Sequence, residues 1–111
     1  MKISEQQAGD IKILNLEGNL IGGPEAVSLN ETVNRFLDQG AHKVVIDLGN
    51  VERMNSSGLG ILIKALTTFK SNGGTLKLAN VNEKIENLLV ITKLDSVFES
   101  FDSVAAAVNS F

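Results

Sequence analysis

Three β-branched residues, Val44, Val45 and Ile46, stand side by side with no polar residue between them. A strand with one face in water alternates apolar and polar side chains, so this run predicts a strand that is covered on both faces. Such strands lie at the centre of parallel sheets, because the crossover connections place helices over the sheet. We therefore expect an α/β protein whose central strand spans residues 43–48.

The rest of the chain contains strand and helix patterns in a regular order. Alternation predicts strands over residues 2–6 and 10–17, joined by a hairpin turn at Ala8-Gly9-Asp10, with a bulge in the second strand. Further strands are predicted at residues 75–79 and 97–101.

Helical spacing of apolar residues predicts four helices, and each has a start or stop signal. The first begins at Pro24 and ends at Gly40, and the second runs from about residue 57 to 71. Asn82 caps the third, and Asp102 or Ser103 caps the fourth. The order β-β-α-β-α-β-α-β-α predicts a single α/β domain over residues 1–111, with a mixed sheet of four to five strands and one hairpin at its edge.

Composition excludes several classes of function. Among 111 residues there is no Cys and only one His, His42, so neither a thiol nucleophile nor a multi-His metal site is available. A formal charge of −3 and the absence of Trp and Tyr disfavour nucleic acid and anionic lipid as partners. No apolar segment fits a secretory signal or a bilayer span, so we expect a cytoplasmic protein without membrane insertion.

No motif indicates an enzyme. Asp47 lies near the end of the central strand, where we expect it to cap the strand or to hydrogen-bond to the following loop. The pair Gly58 and Gly60 lacks the third glycine of a dinucleotide fingerprint, because Ile63 stands at that position, and no Lys-Ser/Thr pair completes a P-loop. We predict no catalytic residue, no metal and no cofactor.

The start of the second helix is richer than a helix cap requires. Asn55, Ser56 and Ser57 are all suited to capping, and Gly58 and Gly60 remove side chains from the first turn, so that another protein can approach the hydroxyl groups. A phosphate on either serine would meet free N–H groups and the positive end of the helix dipole. The pattern therefore indicates a modification and binding surface.

The segment Asn55-Ser56-Ser57-Gly58-Leu59-Gly60 resembles the Asp-Ser-Ser/Thr-Gly-Leu-Gly signature of bacterial STAS-domain anti-sigma factor antagonists, and the element order fits that fold from end to end. The resemblance implies that an anti-sigma factor, which is also a serine kinase, phosphorylates Ser56, with Ser57 as second choice. The unphosphorylated form would bind the anti-sigma factor and release sigma, as a monomer or weak dimer. The alternative is a non-catalytic scaffold subunit in a signalling complex or a lipid-transport ATPase assembly.

We expect the partner to bind the start of the second helix together with the loop that follows the second strand. The predicted contact residues are Asn19, Leu20, Ile21, Asn55, Ser56, Ser57, Gly58, Leu59 and Gly60. Asn55 replaces the signature Asp, and the family's Gly-Glu-x-Asp pattern corresponds to residues 18–21, so both of its carboxylates are absent. Leu20 and Ile21 are either exposed contacts or residues folded beneath the first helix.

Overall fold

The elements follow one another in the order that the sequence predicts. A computed structural model describes the backbone of residues 1–111 and the side chains of all of them except residue 25. The elements are β1 (Lys2–Ala8), β2 (Ile11–Leu20), α1 (Pro24–Asp38), β3 (Lys43–Met54), α2 (Ser56–Ser71), β4 (Thr75–Ala79), α3 (Glu83–Ile91), β5 (Glu99–Phe101) and α4 (Val104–Asn109).

The five strands form one mixed sheet in the order β1-β2-β3-β4-β5. β1 and β2 pair as an antiparallel hairpin at the edge, and the other neighbours are parallel. β3 is the middle strand, and its Val44, Val45 and Ile46 are all fully buried. The prediction of a central strand covered on both faces is therefore confirmed.

Alternate residues of the central strands enter two separate cores on the two faces of the sheet. Val44 and Ile46 belong to the larger core, which the inward faces of α1, α2 and α3 complete. Val45 belongs to a smaller core on the opposite face, where Ala107 of α4 covers Ile11 and Ala79. Three helices thus lie on one face of the sheet and α4 on the other.

β2 and β3 are longer than the sequence predicts. The predicted ends at residues 17 and 48 are wrong, because the strands extend to Leu20 and Met54. The extra residues pair with each other, Gly18 with Val51 and Leu20 with Met54, so backbone hydrogen bonds extend the strands through residues of turn type. Two register shifts interrupt this pairing, and at both the additional residue lies on β3. The prediction of a bulge in the second strand is therefore wrong in its placement, because both irregularities lie in β3.

The predicted helix caps are confirmed. The Oδ1 atom of Asn82 accepts the amide of Ile85 at 2.9 Å, and the Oγ atom of Ser103 accepts the amide of Ala106 at 3.0 Å. Gly40 follows α1 with φ of +81°, in the left-handed region typical of a residue that ends a helix. Within the part of the chain that the structure describes, no helix has the length and apolar character needed to cross a membrane.

Candidate functional site

Asn55 is the residue that caps α2. Its backbone is extended, its Oδ1 atom accepts the amide of Gly58 at 2.9 Å, and its carbonyl accepts the amide of Leu59 at 2.9 Å. The amides of Ser56 and Ser57 make no hydrogen bond to any described residue, and both side chains are exposed. The first turn of α2 therefore presents two hydroxyl groups and two free N–H donors to the solvent.

The loop between β2 and α1 passes directly beside this turn. Gly22 has φ of +111°, and a Cβ atom at that position would lie 3.3 Å from the Cβ atom of Ser57. The glycine thus satisfies both the backbone conformation and the close approach. The loop therefore borders Ser57. Ser56 is the residue before Ser57 and is the first residue of α2.

Gly58 and Gly60 have different roles, although the sequence predicts the same role for both. Gly58 is buried, and a Cβ atom there would lie 1.8 Å from the carbonyl oxygen of Leu20. A Cβ atom at Gly60 would meet no atom within 4 Å. Gly58 therefore permits the packing of α2 on the end of β2, and only Gly60 leaves the surface open.

The structure separates the two alternatives for Leu20 and Ile21. Leu20 is the last residue of β2 and is fully buried in the larger core, and Leu59 is 1% exposed in the same core. Ile21 is 46% exposed and directly precedes Gly22, which faces Ser57, and Asn19 is also exposed. Leu20, Gly58 and Leu59 thus support the surface from below, and the remaining predicted contact residues are exposed on it.

A groove of about 440 Å³ opens between α1 and α2, a feature that sequence reasoning missed. Ser57 and Gly60 line the groove together with residues of both helices, so it is continuous with the start of α2. The sequence contains only part of the signal. Gly60 is a small residue in the second helix, and Val27 is an apolar residue in the first helix that the structure leaves exposed. Which two helices face each other is set by the sheet order, and local spacing does not give it.

Two carboxyl groups with lowered pKa values lie away from the start of α2, Asp10 just before the other end of β2 and Glu5 in the middle of β1. A hydrogen bond from Lys43, which begins β3, lowers the pKa of the Asp10 carboxyl just before β2. A hydrogen bond from Arg35 lowers the pKa of Glu5 on β1. No group of three or more His, Cys, Asp or Glu side chains converges on a cation position among the described residues.

Two further residues considered in the sequence, His42 and Asp47, lie beside and on β3, and Asp47 has the role that the sequence predicts. His42 is exposed just before β3. Asp47 is tied to the loops at the end of its pairing with β4, since its Oδ1 atom accepts the amide of Gly49 at 2.9 Å and the Nδ2 group of Asn80 at 2.8 Å. Asp47 therefore has a structural role, and the candidate site consists of the start of α2 and its neighbours.

Comparison with known proteins agrees with this architecture. Residues 2–107 match the STAS domain. The anti-sigma-B factor antagonist of Bacillus subtilis is 34% identical over 95 residues, which cover 86% of this chain and 84% of that protein. A Thermotoga maritima protein is 33% identical over 75 residues, which cover 68% of this chain and 66% of that protein's length.

Solved structures show the same fold. The crystal structure of an anti-sigma factor antagonist from Thermotoga maritima, designated TM1081, superposes with a TM-score of 0.88 at 27% identity, over 97% of this chain and 92% of that one. Unphosphorylated SpoIIAA, an anti-sigma factor antagonist, gives a TM-score of 0.72 at 14% identity, over 98% of this chain and 96% of that one. The family match covers nearly the whole chain, and the chain therefore belongs to the STAS domain family.

Proposed function

We propose that this chain is an anti-sigma factor antagonist, which binds an anti-sigma factor of the serine-kinase type and so releases sigma. The observation that carries the proposal is the exposure of Ser56 and Ser57 at the start of α2, together with the exposed Gly60 and Ile21. The relatives of the chain include the Bacillus subtilis antagonist. The role is that of a binding protein and kinase substrate, without catalysis of its own. It belongs in the cytoplasm, where transcription takes place.

Phosphorylation of Ser56 is the proposed switch. A phosphate adds roughly −1.5 to −2 charges. The free amides of Ser56 and Ser57 and the positive end of the α2 dipole stabilise such an anion without a change of fold. A partner that covers the helix start must remove water from the dianion, which weakens the complex. The resemblance to the family signature favours Ser56 as the acceptor, because Ser56 directly follows Asn55, which stands at the position of the signature Asp.

Mass spectrometry after incubation with the anti-sigma factor kinase of the same organism and ATP tests the acceptor. We expect one phosphate, located on Ser56. Ser56→Ala abolishes it, and Ser57→Ala, the matched control one residue away, retains it. Modification that persists in Ser56→Ala and disappears in Ser57→Ala would assign the switch to Ser57 instead.

Isothermal titration calorimetry tests the binding role. The unphosphorylated chain is expected to bind the anti-sigma factor, and the phosphorylated chain to bind at least about tenfold more weakly, which corresponds to about 1.4 kcal/mol. Equal affinity of both forms would leave the binding role intact and reject the switch.

The alternative role as a scaffold subunit is favoured by one observation. Asn19, Ile21 and Asn55 carry no charge around the serines, where the family pattern has acidic residues. A kinase that reads acidic residues beside its substrate has less to recognise here. Affinity capture with the full chain separates the roles: a small kinase-type ATPase supports the antagonist, and a transporter ATPase supports the scaffold.

A further inference from the structure

The groove between α1 and α2 has apolar walls from both helices. Ala26 and Val27 line it from α1, and Ile61 and Ala65 line it from α2. Its volume of about 440 Å³ is large enough for a leucine-sized or aromatic side chain with room to spare. Val27 is 60% exposed at this groove, so a large apolar side chain remains in contact with water. Burial of this apolar surface would be favourable for a partner of matching shape.

Two opposite charges accompany the apolar walls. Glu31 lines the groove from α1 and Lys64 lines it from α2, and both are exposed. Neither side chain forms an ion pair or a side-chain hydrogen bond with any residue that the structure describes. In contrast, Arg35, one turn along α1 from Glu31, is paired with Glu5. The groove therefore offers one free carboxylate and one free ammonium group, which specify the charges of a complementary partner.

The groove begins at the proposed switch. Ser57 and Gly60, both in the first two turns of α2, line it, and the missing side chain of Gly60 keeps that end open. α1 and α2 each follow one of two parallel neighbouring strands, so they run side by side in the same direction. A groove between two such helices accepts a third helix along its length.

We infer that this groove receives an amphipathic helix of the anti-sigma factor, with an apolar side chain between Val27 and Ile61 and with an acidic and a basic side chain opposite Lys64 and Glu31. The inference rests on the proposed function. It adds the groove between α1 and α2 to the docking surface at the start of α2. It also explains how a phosphate at Ser56 acts on binding, because the new charge stands at the end of the groove that the helix must cover.

Substitution at Gly60 tests the groove with little effect on the fold, because Gly60 is helical and its Cβ position is free. Gly60→Leu fills the open end, and Asn87→Leu, which adds the same side chain at an exposed position of α3 outside the groove, is the control. With the anti-sigma factor kinase of the same organism in a calorimeter, we expect Gly60→Leu to weaken binding about tenfold or more, and Asn87→Leu to remain within about twofold of the native chain. Circular dichroism and melting temperature confirm that both variants fold.

Charge reversal tests the orientation of the partner. Lys64→Glu and Glu31→Lys are each expected to weaken binding by about fivefold or more, with an effect that shrinks at high salt. Lys84→Glu on α3 is the control, because it makes the same change of charge at an exposed lysine outside the groove.

The outcomes distinguish failure of this inference from failure of the proposed function. If the native chain binds the anti-sigma factor and Gly60→Leu binds equally well, the groove is not the docking site, although the function stands. If the native chain does not bind at all, the proposed function fails and the inference fails with it. If sedimentation shows a dimer of the native chain that Gly60→Leu abolishes, the occupant is a second copy, which also overturns the inference.

Discussion

The carbonyl oxygen of Leu20 lies 1.8 Å from the point that a Cβ atom on Gly58 would occupy. The carbonyl carbon of the same residue lies 2.6 Å from that point. The last residue of β2 thus packs directly against the first turn of α2, with no space for even a methyl group. Through this contact the sheet fixes the position of the helix start that carries Ser56 and Ser57.

Gly58→Ala is expected to destabilise the chain by about 3 kcal/mol or more, because the methyl group forces α2 away from β2. Gly60→Ala, two residues further along the same helix, is expected to stabilise it by up to about 1 kcal/mol, since Ala has the higher helix propensity and its Cβ position is free. Chemical denaturation of both variants measures the difference. Equal effects of the two substitutions would contradict the packing role of Gly58.

The same contact shows why sequence reasoning gave Gly58 the wrong role. The local pattern places Gly58 and Gly60 alike in the first turns of a helix, and both look like small residues on an exposed helix start. The two glycines differ because β2 extends to Leu20 and reaches Gly58. β2 extends that far only because its last residues pair with residues 50–54 of β3. Pairing between segments about 30 residues apart does not require a periodic pattern of apolar residues in either segment. The ends of β2 and β3 were predicted wrongly for the same reason.

Asn55→Ala is expected to lower stability by about 1 kcal/mol, because the Gly58 amide loses its acceptor. Asn55→Asp retains the acceptor and adds a negative charge at the helix start, so stability should be unchanged or higher by up to about 1 kcal/mol. Denaturant midpoints compare the variants.

Asn82→Ala provides the control for partner binding, because Asn82 caps α3 with the same 2.9 Å bond and is not one of the predicted contact residues. Both alanine variants should lose similar stability, and only Asn55→Ala should also weaken binding to the anti-sigma factor. If Asn82→Ala weakened binding as much, the effect at Asn55 would reflect global stability rather than the site.

The ion pair between Glu5 on β1 and Arg35 on α1 is expected to make stability depend on pH. Arg35 Nη1 donates to Glu5 Oε1 at 3.0 Å, and this hydrogen bond lowers the pKa of the Glu5 carboxyl below its ordinary value. A carboxyl with a lowered pKa in the folded state stabilises that state above its unfolded pKa, and the stabilisation is lost as pH falls through the folded pKa.

Double-mutant cycles with Glu5→Gln and Arg35→Gln measure this contribution. Both side chains are partly exposed to solvent, which screens the pair, so we expect a small coupling energy at pH 7. The coupling should shrink as the pH is lowered to about 3, because the carboxylate is then progressively protonated. A coupling energy that is the same at both pH values would contradict the role of the ionised pair.

Local patterns were sufficient where neighbours along the chain determine the structure. Asn82 and Ser103 accept hydrogen bonds from amides three residues ahead. Residue type and position identified Asn82 as a cap and left Asp102 and Ser103 as the alternatives for the fourth helix. The free serines of α2 were found in the same way. In contrast, Lys77 alternates with Leu76 and Leu78 and so resembles a solvent-facing residue of a strand, yet it is 5% exposed because α4 returns from the end of the chain to cover it.

Lys77→Ala is expected to loosen α4 and to lower stability by about 1 to 3 kcal/mol. The Lys77 Nζ atom donates to the Ser110 carbonyl at 3.1 Å and to the Ser110 Oγ atom at 2.7 Å, and it lies 4.4 Å from the centre of the Phe111 ring. These contacts attach the residues after α4 to β4. Hydrogen exchange should therefore show faster exchange of the α4 amides, with those of α2 little changed. Lys84→Ala, at an exposed lysine, is the control and should shift stability by no more than about 0.5 kcal/mol. If the α4 amides of Lys77→Ala exchanged at the native rate, Lys77 would not hold α4 in place.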